Sequence, residues 1–367
     1  MNHIKPFKNS NRKTLVITGG NGFIGTHLRK KLSDKYNLLN IDMRPTKLSF
    51  DNEQSFNFNL KNTNATINFS KILRPYYQSI SGIIHLADYY DFTNKPTTKY
   101  NHARNGFENF LDINITQGIP SVPIIAANSI SILEPSVPNS TENNLLSPYT
   151  NQCLPYIENK ILLEQTLLNY KKKFPVCSLL LGGVYSDKCE LYLLYQFLER
   201  IRLKQFDMLF TCVPNNYGLS YVHINEVVDT ITQVLTKEFN NENRFLVGQT
   251  ETIAFNDLYK KACLLFHGKT LPLIKVPRSV AKLGLIIENN IKEYIGENIF
   301  FEPWMIDFSH NHYKVDKNSK LRNSNQDFPS DFWNDLEKMI QFAKYNPEEW
   351  ITINEKRNMS RLDNSLD

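Results

Sequence analysis

Residues 14–31, TLVITGGNGFIGTHLRKK, narrow the possible folds more than any other part of this chain. A short apolar run, Leu15-Val16-Ile17, has the length and branching of a buried strand. It breaks into a glycine-rich turn and resumes at helical spacing through Phe23, Ile24 and Leu28. Such a turn joins a parallel strand to a helix. Gly19 can supply its sharp bend, Gly22 lets the backbone approach a pyrophosphate, and Gly25 permits close packing of helix on sheet. The helix N-terminus then offers amides and a partial positive charge to phosphate oxygens, with Phe23 and Ile24 in its first turn. A glycine triplet alone also fits an ordinary turn. The readable strand and helix on either side favour a dinucleotide site.

A carboxylate at the expected distance supports this reading. Residues 36–42, YNLLNID, read as a second strand ending in Asp42, seventeen residues beyond Gly25. A carboxylate there accepts hydrogen bonds from ribose hydroxyls and repels a 2′-phosphate, which favours NAD over NADP. Arg44 lies two residues on and is placed to receive such a phosphate, and Asp42 could instead simply cap its strand.

Further strands are expected over 55–60, 81–86, 122–127, 176–181 and 244–247, alternating with helical patterns. That alternation marks an α/β fold with a Rossmann-type, doubly wound parallel sheet. Residues 13–185 and 218–248 form its nucleotide-binding part. Residues 186–217 and 249–350 form a smaller, mainly helical part that holds substrate. Residues 1–12 read as a disordered N-terminus and 351–367 as a polar tail.

Composition excludes several alternatives. Hydrophobic residues at 41% and charged residues at 22% fit a soluble globular protein, and the net charge of +5 is diffuse. No arginine-rich stripe points to nucleic acid, and no apolar run reaches the ~20 residues of a membrane span. The five cysteines are scattered and form no zinc pattern, in keeping with reduced thiols in the cytoplasm. Residues 280–287 form an apolar helical patch, read as a core or pocket-lining face rather than a membrane contact.

Tyr156 and Lys160 stand four apart at the start of an expected helix, 156–170, so they share one face. An ammonium at that distance favours a phenolate and suits the tyrosine to general-base work. Tyr156 follows Ser129, at the end of the fifth strand, by twenty-seven residues. Ser131, two residues on, fits the same strand pattern.

With these pieces in order, the chain resembles the extended short-chain dehydrogenases/reductases of the NAD-dependent epimerase/dehydratase and 3β-hydroxysteroid dehydrogenase type. TGGNGFIG at 18–25 is similar to the family's cofactor turn, HLAD at 85–88 to its HLAA, YIENK at 156–160 to its Tyr-x-x-x-Lys pair, and SYVHINEVVDT at 220–230 to its FVHLDDLVDA block. YYDF at 89–92 and PWMIDF at 303–308 resemble a bacterial subgroup. The resemblance implies that Tyr156 exchanges a proton with a substrate hydroxyl or carbonyl. It implies that Lys160 holds the nicotinamide ribose and that Ser129 hydrogen-bonds the reacting oxygen. It further implies cofactor contacts from Asn59, Leu60, Leu86 and Ala87 beside the glycine turn, Asp42 and Arg44. A homodimer through the Tyr-x-x-x-Lys helix is also implied, with Ile161, Leu162, Leu163 and Leu167 as its apolar surface; the same side chains could instead face the sheet.

Four departures stand out. Ala127-Asn128-Ser129 replaces a run of hydroxyls, Asp88 replaces a small apolar residue, Leu180 stands where relatives often carry arginine, and Asn225 replaces an aspartate. The expected activity is NAD-dependent hydride transfer at a secondary alcohol or ketone of a small-molecule substrate. A nucleotide-sugar epimerase or dehydratase is the alternative within the enzymes. An NAD-binding regulatory protein is the alternative outside them. Sparse cations in 186–217 and the apolar stretch 271–287 lean towards a hydrophobic substrate.

Overall fold

In the computed structural model, residues 7, 11–88, 98–135, 139–146, 155–236, 244–296, 299, 301–323 and 328–362 are described. The first half alternates strand and helix: β1 (Thr14–Thr18), α1 (Phe23–Leu32), β2 (Asn37–Asp42), β3 (Glu53–Asn57), α2 (Thr63–Leu73), β4 (Ile80–His85), α3 (Thr98–Thr116), β5 (Ile124–Ser129), α4 (Pro155–Tyr170) and β6 (Val176–Leu181). The strand β10 (Arg244–Val247) completes a seven-stranded parallel sheet of order β10-β6-β5-β4-β1-β2-β3. The order reverses between β1 and β4, and ligands of open parallel sheets bind beyond the strand ends at such a point.

The central strands are buried along their whole length because helices cover both faces. Side-chain alternation divides them between two layers. Leu15 and Ile17 pack with Leu28 and Leu32 of α1 and with Val227 and Ile231 of α6 (Ile224–Val234). Val16 and Leu39 face the other way, towards Phe69 of α2, Phe110 of α3 and Leu163 of α4.

The edge strand β3 spans Glu53–Asn57, rather than 55–60. Phe56, Phe58 and Leu60 continue a strand-like alternation, but Asn59 closes a turn: its Oδ1 accepts from Lys61 N and its carbonyl from Asn62 N. Asn59 and Leu60 therefore lie beyond the strand end, towards the cleft. The fifth strand also runs two residues later than expected, which makes Ser129 its last residue.

The remaining elements form a second body against the sheet's carboxyl edge: β7 (Gly183–Tyr185), α5 (Tyr192–Arg202), β8 (Phe210–Thr211), β9 (Gly218–His223), β11 (Thr252–Ala254), α7 (Phe255–His267), β12 (Ile274–Lys275), α8 (Arg278–Ile295), α9 (Pro303–Phe308), α10 (Lys320–Asn323), α11 (Phe332–Tyr345) and α12 (Pro347–Leu362). Strands β7, β9 and β11 make a small mixed sheet, and α5, α7 and α11 share a core with it.

The segment 351–367, expected as a tail, is helical as far as Leu362. Trp350 anchors α12 in the second core and donates through Nε1 to Glu199, while the buried Asn354 accepts from Glu190 N and donates to Lys188 O. Of the N-terminal segment 1–12, Phe7 packs edge-on against Tyr76, and most of the rest lies outside the described residues.

Ile161, Leu163 and Leu167, offered above as dimer surface, are buried within the chain, since α4 turns them towards the sheet and α3. Among the described residues, no helix is long and apolar enough to cross a membrane. Cys177, Cys189, Cys212 and Cys263 are free thiols, and Cys153 lies outside the described residues.

Candidate active site

At the end of β1 the chain bends through Gly19 at φ +73°, where a side chain is strained. A Cβ there would stand 2.5 Å from Ala87 N, so only glycine lets the turn lie against the loop after β4. At Gly25 a Cβ would meet Gly20 Cα at 2.5 Å, which is what holds α1 so close to the turn. Helix α1 begins at Phe23 with no side-chain cap and no acidic residue in its first turn. Its N-terminus therefore points positive dipole towards the cleft, with no carboxylate in its own first turn to oppose it.

Asp42 ends β2 in the cleft wall and is already engaged. Its Oδ2 accepts from Asn21 N at 2.9 Å; its Oδ1 accepts from Arg44 N at 2.9 Å and Arg44 Nε at 3.2 Å. This pairing folds the Arg44 guanidinium back across Gly22, with Nη2 3.4 Å from where a Cβ on that glycine would stand. Asn21 locks the arrangement by donating its Nδ2 to Arg44 O.

Ser129, at the end of β5, shares a 2.8 Å hydrogen bond with Ser131 Oγ, so the two candidate hydroxyls form one pair. Tyr156 and Lys160 project from the first turns of α4, with the Lys160 ammonium 5.9 Å from the Tyr156 ring centre. Lys160 Nζ donates to Ala127 O at 2.9 Å and is ion-paired with Asp88 Oδ2 at 2.6 Å. Asp88 also accepts from Asn159 Nδ2. The unusual carboxylate of HLAD is thus neutralised by the lysine of the Tyr-x-x-x-Lys pair.

Asn128 replaces a hydroxyl residue for a reason visible in its contacts. Its Nδ2 lies within reach of Lys160 O, Glu164 Oε2 and Ser178 Oγ, and its Oδ1 accepts from Ser129 N. Glu164 is in turn paired with Arg244 Nε at 2.5 Å. This buried network fixes α4 against β5, β6 and β10, and with it the placement of Tyr156 and Lys160. Leu180, by contrast, is a core side chain of β6. Asn225 lies within a capping box formed by His223 and Glu226, in which His223 caps α6 and accepts from Asn225 N.

His85 ends β4 under the site. Its Nδ1 shares a 2.7 Å hydrogen bond with Thr18 Oγ1, and its ring stacks on Phe107 with centres 3.6 Å apart. Burial, and secondarily the charge of Lys160, push its pKa down to about 3, so the ring is neutral.

One cleft of about 440 Å³ collects every site residue expected from the sequence: Gly19, Gly22, Phe23, Ile24, Gly25, Asp42, Arg44, Asn59, Leu60, Leu86, Ala87, Ser129, Tyr156 and Lys160. Ser131, the alternative hydroxyl of that strand end, also lines it, as do Asn21, Gly106 and Asp88, which the sequence does not mark as site residues. Asn21 was legible inside the glycine turn. Asp88 was noticed as a departure, but its partner Lys160 lies too far along the chain for local pattern to connect them. YYDF at 89–92 lies outside the described residues.

A Rossmann-type sheet with a glycine turn, a strand-end carboxylate and a Ser/Tyr/Lys group in one cleft defines a nucleotide-binding α/β protein of the extended short-chain dehydrogenase/reductase kind. The chain belongs to the NAD dependent epimerase/dehydratase family, whose sequence model matches residues 15–248. No curated protein sequence matches it.

Among solved structures, it is similar to UDP-glucose 4-epimerase of Thermotoga maritima with UDP-glucose (TM-score 0.66, 16% identity, 91% of this chain and 99% of that one). It is also similar to dTDP-glucose 4,6-dehydratase of Bacillus anthracis in complex with NAD (0.66, 15%, 93% and 99%). A third is DesIV, a dTDP-glucose 4,6-dehydratase of Streptomyces venezuelae with NAD bound (0.66, 14%, 93% and 99%). At these identities the likeness establishes the shared fold.

Proposed function

We propose that this protein binds NAD in the cleft and catalyses hydride transfer at a carbinol carbon, a secondary alcohol or the corresponding ketone, through Ser129, Tyr156 and Lys160. The observation that carries the reading is the meeting of those three side chains with the Gly19–Gly25 turn in one cleft.

The residues present fit the cofactor. Gly19 and Gly25 leave no room for side chains and hold the turn close to the helix N-terminus, a cradle suited to a pyrophosphate. Asp42 stands at the strand end where ribose hydroxyls are held. Since both its oxygens are occupied by Asn21 and Arg44, those hydroxyls join or displace the Arg44 side-chain contacts. Asn59, Leu60, Leu86 and Ala87 complete the wall. Bound NAD supplies a hydride acceptor; the protein supplies position and proton transfer.

Tyr156 takes the proton from the substrate hydroxyl, or returns one to a carbonyl. Ser129, oriented by Ser131, donates a hydrogen bond to the same oxygen and stabilises charge developing there. An ammonium has three donors. Lys160 commits one to Ala127 O and one to Asp88, leaving one for a ribose hydroxyl. Asp88 acts through Lys160 as a positioning group.

The second reading, a nucleotide-sugar epimerase or dehydratase, is favoured by the solved structures similar to this chain, which carry that activity in their descriptions. It begins with the same hydride step. Calorimetry with NAD and NADP on wild type and Asp42→Ala, followed by NADH formation on panels of secondary alcohols and sugar nucleotides, tests both. NAD binding that weakens in the variant, with turnover lost in Tyr156→Phe, is the expected result. Absence of cofactor binding would overturn the reading, and tight binding without turnover of any panel would favour a regulatory NAD-binding protein.

A further inference from the structure

Beyond the cleft lies a second, larger cavity of about 840 Å³, walled by α5, α7, α8, α9 and the segment around β8. We propose that it holds a long hydrocarbon tail of the substrate, on the order of ten carbons or more, whose reacting carbinol lies in the cleft beside Tyr156. This rests on the hydride-transfer reading and adds the chemical class of the substrate.

The first argument is the lining. Phe197, Met208, Leu258, Ala281, Ile287 and Trp304 represent a wall that is apolar almost throughout. Cavities of roughly 300–1,000 Å³ with a few polar groups are the usual size for ligands that are mostly buried. An apolar pocket of that size gains by exchanging water for hydrocarbon.

The second argument is continuity. Leu193, Leu219, Tyr221 and Phe308 belong to the walls of both spaces, so the cavity begins where the cleft ends. A ligand that reaches Tyr156 has its next available volume here.

The third argument is charge. Every lysine and arginine of α5 and α8 is already paired: Arg200 with Asp207, Arg202 with Glu199, Arg278 and Lys282 with Asp307, and Lys292 with Glu288. The guanidinium of Arg200 also lies 5.0 Å from the Phe301 ring centre. A diphosphate clamped by these two helices would have to break their pairs, whereas a hydrocarbon tail leaves them intact.

The fourth argument is the state of α8. This helix of eighteen residues has no buried side chain, and Val280, Ile287, Ile291 and Ile295 remain more than half exposed while facing the cavity. A tail in the cavity would cover them, removing apolar surface from water on both partners.

Gly284 provides the test. It lines the cavity from α8, and a Cβ built on it meets nothing within 4 Å, so Gly284→Trp fills space without displacing backbone. Tryptophan also has the better helix propensity, which favours a folded variant. Binding of 2-alkanols from C4 to C12 would be read by displacement of a dansyl-labelled undecanoic acid, in parallel with NADH formation.

Wild-type affinity should rise roughly fourfold per methylene along the series. Gly284→Trp should lose about tenfold or more for the C12 alcohol and keep its NAD affinity. Chain-length dependence without NADH formation would keep the tail site and remove the hydride-transfer reading. NADH formation that is flat with chain length, with no probe bound, would overturn the tail site and keep the chemistry. Unchanged probe binding in Gly284→Trp, with sedimentation on phosphatidylcholine vesicles, would assign the apolar face to a lipid surface and also overturn it.

Discussion

Acid should destabilise this protein through His85. The ring is buried between Thr18 and Phe107, and its pKa is held down to about 3 by burial first and by Lys160 second. In the unfolded chain it titrates near 6.5. Above that value it is neutral in both states and contributes no pH dependence. As pH falls below 6.5 the unfolded chain gains a proton that the folded chain refuses, so stability is progressively lost down to about pH 3. At pH 5.0 the unfolded group lies about 1.5 pH units past its midpoint, which at about 1.36 kcal/mol per unit is about 2 kcal/mol. The figure is insensitive to the depth of the shift, because the folded ring stays neutral at pH 5 for any value below about 4. His85→Gln keeps a hydrogen-bonding partner for Thr18 and removes the titration. Urea unfolding followed by tryptophan fluorescence at pH 7.5 and 5.0 would measure both proteins, and contributions from other groups cancel in the difference. Wild type should lose about 2 kcal/mol more than the variant on acidification. Equal losses would show that the ring accepts a proton in the folded state and would refute the reasoning.

Two further outcomes follow from the same geometry. Gly25→Ala puts a Cβ 2.5 Å from Gly20 Cα, backbone against backbone. The helix must move, costing about 1–3 kcal/mol by analogy with overpacking, and calorimetry should show at least a tenfold loss of NAD affinity. Asp88→Ala and Lys160→Met each break a pair whose side chains are 14% and 9% exposed. A double-mutant cycle read by thermal unfolding should return a coupling of about 1–3 kcal/mol; strictly additive losses would show that the pair contributes nothing.

What the sequence disclosed depended on where its residues sit in the layers. Strands β1 and β6 are covered on both faces, so unbroken apolar runs marked their ends to within a residue. Strand β3 is an edge, and its alternation runs on through Phe58 and Leu60 past the turn at Asn59, which places the expected end three residues beyond the observed one. Helix α12 is polar except for a few anchors such as Trp350, a pattern that reads as tail until the receiving core is known. The residues that line the cleft were legible because turn, strand end and helix start are local signals. The Asp88–Lys160 pair and the Asn128–Glu164–Arg244 network join residues distant in sequence, which periodicity does not record.

The strand order has a consequence for biosynthesis. Strand β6 is the hydrophobic run VCSLLL, and its outer neighbour is β10, completed only at Val247. Translation of the roughly 60 intervening residues takes about 3–12 s at ordinary elongation rates. During that interval the nascent sheet carries an open edge of unpaired amides and carbonyls flanked by apolar side chains. A chain halted before Arg244 keeps that edge permanently and lacks the Arg244 partner of Glu164 as well. The nucleotide-binding half, although nearly continuous in sequence up to Leu181, is therefore not an independent folding product: its sheet stays open to other chains until the ribosome has passed through much of the second body.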